Sequence, residues 1–129
     1  MDSGTVIKTI ETKSHRLSLT GDGIIHVFSK PARMEVEDIN DLMDELDKLA
    51  TNGKLLILVD PTEELAMSDA ARKTIAERGK NNTQRMAILG RKELVNDIGN
   101  SILKNYHPAY PFKMFANREA AMDWLLNKL

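Results

Sequence analysis

Five consecutive apolar residues, Leu55-Leu56-Ile57-Leu58-Val59, run straight into Asp60-Pro61. An unbroken apolar run of this length reads as a strand buried on both faces of a sheet, because a half-exposed strand would alternate. Pro61 has no N–H to give a sheet ladder and fixes its own φ, so the chain leaves the sheet here with an acid at the strand's carboxyl end. Ser68 then opens a helix. The stretch from Lys54 to Arg78 is therefore strand, loop and helix N-terminus in succession, and open α/β sheets place their ligands at such strand ends. If the chain has a site, this is where to look, and Asp60, Thr62, Ser68, Asp69 and Arg72 are its candidate binding or switch residues.

The rest of the chain supplies the frame. Thr5 to Thr12 is rich in β-branched residues and predicts an edge strand. His15 to Leu19 and Ile24 to Phe28 flank Gly21-Asp22-Gly23, whose glycines suit a tight hairpin, so two antiparallel strands follow. In the second of them both faces carry apolar side chains, which places it inside the sheet. Val36, Ile39, Leu42, Met43, Leu46 and Leu49 recur at helical spacing, with Gly53 as the stop. A second helix from Ser68 turns Ala71, Ile75 and Ala76 inward and ends near Gly79, and Asn81-Asn82 is turn chemistry. Met86 to Leu89 is another buried strand. A third helix runs from about Lys92, with Leu94, Ile98 and Ile102 on one face and Gly99 marking close packing. Tyr106 to Pro111 is a rigid loop, Phe112 to Ala116 the last strand, and Asn117 caps a final helix holding Ala121, Trp124, Leu125 and Leu129. The fold class expected is α/β, a mixed sheet made of an antiparallel N-terminal hairpin plus parallel strands, with four helices.

Composition narrows the function classes. At 129 residues, 42% hydrophobic and 29% charged, the chain suits one ordinary domain spanning 1–129. Without cysteine it has no disulfide, no thiolate metal centre and no cysteine nucleophile. Met1-Asp2-Ser3-Gly4 lacks the basic start and apolar core of a leader, and no segment approaches the ~20 apolar residues of a membrane helix, so a cytoplasmic protein without membrane insertion is expected. A net charge of -1 gives no global pull toward nucleic acid.

Local charge and chemistry are weakly patterned. Glu35, Glu37, Asp38, Asp41, Asp44, Glu45 and Asp47 make the first helix acidic on its outer face, which suits solvent, the helix dipole or a basic partner. From Arg72 to Lys92 the balance is basic, yet without interleaved aromatics it is a poor surface for single-stranded nucleic acid. The two patches could instead meet between copies in a weak, salt-sensitive homodimer. Asp60 with Glu63, Glu64 and Asp69 offers oxygen ligands to a hard cation, but acid runs more often face water, and no metal or cofactor is assigned. His15, His26 and His107 lie far apart with no ligand spacing, and no GxSxG, P-loop or GxGxxG occurs. Ser68 has a sufficient structural role as a helix cap. A phosphate there would meet free amides and the positive helix end, with repulsion from Glu63, Glu64 and Asp69 and partial compensation by Arg72.

The order of elements, the strand–loop–helix from Leu55 to Arg78 and the ending Phe115 to Leu125 (FANREAAMDWL) together resemble an anti-sigma-factor-antagonist (STAS) domain of the SpoIIAA-like branch, which is also similar in fold to CRAL-TRIO lipid carriers. The resemblance spans roughly His15 to the C-terminus. It implies a bacterial signalling module in which a hydroxyl residue at the start of the second helix is phosphorylated by a partner kinase; the matching position is Ser68. The family's usual aspartate, hydroxyl residues and glycine are replaced by Ser68-Asp69-Ala70-Ala71. The leading expectation is thus a regulatory module that docks a protein partner through the second helix and the loop before it. A carrier of a small apolar or lipid ligand in a helix–sheet crevice is the alternative, ahead of an enzyme.

Overall fold

The computed structural model describes residues 5–30, 33–61, 66–90 and 93–127. In chain order the elements are β1 (Val6–Glu11), β2 (His15–Thr20), β3 (Ile24–Ser29), β4 (Arg33–Met34), α1 (Val36–Leu49), β5 (Leu55–Asp60), β6 (Ala66–Met67), α2 (Asp69–Gly79), β7 (Thr83–Leu89), α3 (Glu93–Tyr106), β8 (Phe112–Phe115) and α4 (Arg118–Leu125). Six strands form one sheet in the order β1-β2-β3-β5-β7-β8. The first three are antiparallel and β3, β5, β7 and β8 run parallel, so the mixed sheet with four helices expected from the sequence is the one found. β5 lies between β3 and β7, with Ile57 opposite both Ile25 and Met86.

Local chemistry accounts for the element ends. Gly23 takes φ +86 in the hairpin turn, where its N–H donates to Thr20 O at 3.0 Å. α1 opens with a capping box: Asp38 accepts from the Glu35 amide at 2.8 Å. It does not run directly to Gly53, because a short 3-10 turn over Ala50–Asn52 comes first. Asn117 caps α4 by accepting from Ala120 N at 2.8 Å. Of the residues assigned to helix stripes, Leu129 and the side chain of Leu94 lie outside the described set. β4 and β6, each two residues long, pair in parallel as a separate small sheet that the sequence pattern does not reveal.

The sheet divides the interior in two. On one face α1, α2 and α3 cover Leu17, Ile25, Val27, Ile57, Met86 and Ile88. On the other, α4 packs Ala121 and Leu125 over Ile24, Leu58, Ala87 and Leu89. Trp124 sets its ring 5.5 Å from that of Phe115 on β8, as a residue beside the apolar stripe should.

α1 and α2 are neighbours, and this changes the reading of the charge patches. Arg78 on α2 reaches Asp44 at 2.9 Å and Asp47 at 2.7 Å and donates to Asn40 O at 3.2 Å. Acidic and basic stretches therefore meet inside one chain at this point, which weakens the electrostatic reason for two copies to pair.

Close packing at the end of α2 yields a test. A Cβ on Gly79 would lie 2.4 Å from the Tyr110 hydroxyl, which is buried and donates to Ile75 O at 2.8 Å. Gly→Ala in a helix ordinarily stabilises by lowering the entropy of the unfolded chain. Here overpacking dominates, and Gly79→Ala is expected to lose about 1–3 kcal/mol in urea unfolding. A variant more stable than the parent would contradict this packing.

Candidate functional site

The start of α2 is held from three directions. β6 pairs with β4, and the Ser68 amide continues that pairing by donating to Met34 O at 3.0 Å. Ser68 itself is extended (φ -66, ψ 158), and its hydroxyl accepts from Ala71 N at 3.1 Å, the N-cap expected of it. The Asp69 carboxylate accepts a hydrogen bond from the Tyr106 hydroxyl at the end of α3. That bond, more than any other contact, raises the Tyr106 pKa above its ordinary value. Arg72, one turn further on, donates from Nη1 to Ser101 Oγ at 3.1 Å. Its Nε is buried and has no hydrogen-bond partner among the described residues. Asp69 and Arg72 thus both reach α3, and a guanidinium nitrogen with no partner among the described residues lies one turn from Ser68. Thr62, Glu63 and Glu64 lie outside the described residues.

Asp60 is elsewhere. Strand alternation turns it to the α4 face, where Arg118 Nη2 donates to its carboxylate. Arg118 Nη1 also lies 3.2 Å from His26 Nδ1, and His26 Nε2 lies 3.2 Å from Thr20 Oγ1. A guanidinium can only donate, so Nδ1 accepts and Nε2 carries the proton. Burial first, and the Arg118 charge second, lower the His26 pKa and keep the ring neutral. Of the four acids that could surround a cation, Asp60 and Asp69 therefore point to different helices, α4 and α3, while Glu63 and Glu64 lie outside the described residues. Among the described residues no group of three or more His, Asp or Glu side chains converges.

Two features escaped the sequence reading. The Asp60–Arg118–His26 cluster joins residues far apart in the chain, so no local spacing pointed to it. His15 is the second. At 2% exposure it lines an apolar cavity beneath α1, α2 and α3, and among the described residues its Nδ1 has no partner. Burial lowers its pKa to about 4, against a smaller opposing pull from Asp38.

Hairpin, parallel strands and helices in this order define a SpoIIAA-like fold. The chain is similar to the crystal structure of an uncharacterized protein from the DUF3478 family with a SpoIIAA-like fold from Shewanella loihica PV-4. Identity is 22%, coverage 97% of this chain and 98% of that one, and the TM-score 0.58. A protein with unknown function from Arthrobacter sp. FB24 is 22% identical over 90% of this chain and 95% of that chain, with a TM-score of 0.34. The chain belongs to the family described as domain of unknown function DUF7793, whose model matches residues 17–128. No curated protein matches it. Among the described residues no helix is long and apolar enough to cross a membrane.

Proposed function

We propose that the protein is a STAS-like regulatory module that docks a protein partner through the start of α2 and is switched by phosphorylation of Ser68. It acts by binding, without catalysis of its own. The observation that carries this reading is the unpartnered Arg72 Nε one turn from the N-cap serine. On a helix, side chains four residues apart share a face and lean toward the N-terminus, so Arg72 belongs to the same surface as Ser68. A phosphate on Ser68 would displace the cap, meet the open amides of the first turn and gain a charge-assisted bond from Arg72. Asp69 is already engaged with Tyr106, which reduces the repulsion it would exert.

Intact-mass analysis of protein purified from its own host tests this. The expected result is a fraction heavier by about 80 Da, the mass of one phosphate, located at Ser68 and absent from Ser68→Ala. A crosslinker at exposed Ala70 should capture a partner from the unmodified form and not from Ser68→Glu, whereas one at Glu119 on α4 should capture none. Equal capture by Ser68→Glu, or no modified fraction under any growth condition, would remove the switch. Ser68→Ala alone should cost the fold about 1 kcal/mol through the lost cap, too little to confuse the outcome.

A further inference from the structure

The cavity beneath the three helices has a volume of about 40 Å³ and sits against the carboxyl-terminal halves of β3, β5 and β7, at Val27, Val59 and Ile88. Helix residues Ile39, Ile75 and Ile102 close it from above. Among the described lining residues His15 and Ser29 carry the only nitrogen- or oxygen-bearing side chains. The side chains around such a void lose packing contacts, and a buried imidazole nitrogen with no partner among the described residues adds a desolvation cost. Water is a poor occupant of this space, since a buried water needs two to four polar partners and the described walls are nearly all apolar. Both defects are removed together by a molecule with an apolar body and one hydrogen-bonding group.

We infer that this cavity is a binding site for a small, uncharged apolar molecule bearing one hydroxyl, which bonds to His15 Nδ1 while the body lies among the isoleucines. The ring is neutral at pH 7, so it offers no counter-charge to an acid, and a hydroxyl can donate or accept to suit either tautomer. Space for about three water-sized spheres admits a body of a few heavy atoms as the walls stand. Met43, Met67 and Met86 lie among those walls, and their flexible thioether chains can re-pack around something as large as a six-membered ring. This inference stands on the cavity and the orphaned nitrogen, and it holds whether or not Ser68 is a switch.

Phenol and benzene are the probes, because they share one body and differ by the hydroxyl. Each is titrated into the whole protein in the millimolar range while the His15 ring nitrogens and the Ile75 and Ile102 methyls are followed by NMR. Phenol is expected to saturate, to move both His15 nitrogens and both methyls, and to bind at least about tenfold more tightly than benzene, a difference of about 1.4 kcal/mol. His15→Leu should bind the two equally, and Ile102→Phe, which fills the space, should bind neither. Saturation by neither probe, equal affinity for both in the parent protein, or shifts that spare His15 would each overturn the inference. Should either variant fail to fold, the parent titration decides alone, through the His15 nitrogens and the phenol-to-benzene ratio.

Discussion

Ile57→Asp is expected to abolish the folded state. Ile57 is fully buried on β5, between Ile25 on β3 and Met86 on β7, in the larger of the two apolar cores. A carboxylate there would have neither water nor a cation, and an unpaired buried charge costs several kcal/mol against a total stability of about 5–15 kcal/mol. Loss of the cooperative unfolding transition and collapse of amide shift dispersion are the readouts. A variant with a cooperative melt near that of the parent would refute the placement of β5 at the centre of the sheet.

The second large effect is on acid stability and belongs to His15. In the unfolded chain this imidazole takes up a proton near its ordinary value of 6.5, whereas in the fold burial holds protonation off until about pH 4. Between these values the unfolded state binds the extra proton, so stability rises with pH across the window. The contribution is complete above 6.5, falls away as the pH drops toward about 4, and amounts to about 3 kcal/mol at about 1.4 kcal/mol per pH unit. His26, also depressed by burial and by Arg118, adds in the same direction. Asp38, lowered chiefly by its bond from Ser14, acts only below the ordinary carboxylate value of 3.8, outside this window. Urea unfolding at steps between pH 7 and pH 4 measures the slope. His15→Leu should flatten most of it, and a variant keeping the parent's slope would show that the burial of His15 is not its source.

How far these features could be read from the residues depends on what signal each leaves in the chain. β5 and β7 were legible because a strand buried on both faces must be apolar throughout, and Leu55 to Val59 and Met86 to Leu89 say so directly. The Ser68 cap was legible for a related reason: capping is a contact over three residues, and its partner Ala71 is in the same short stretch. β4 and β6 were not, since two residues carry no period. Pairing between Asp60 and Arg118 left no local trace, because it depends on the α4 N-terminus arriving beside the end of β5. The close packing expected at Gly99 is against Met114 on β8. The cavity left no mark in the residues themselves, and only the resemblance to lipid carriers pointed to a helix–sheet crevice. A void is a place that several side chains fail to fill, and each of those side chains looks like an ordinary core residue in sequence.

That α4 is the only helix over the second face of the sheet, among the described residues, also bears on how the protein is made. Ile24, Leu58 and Leu89 are in place as soon as β3, β5 and β7 have paired, but Ala121 and Leu125 leave the ribosome after all of them. Synthesis proceeds at roughly 5–20 residues per second, and domains fold as units once their residues are available. Any part of the sheet that pairs before α4 emerges would have one apolar side bare. Misassociation and capture by chaperones are therefore expected to be favoured in that interval.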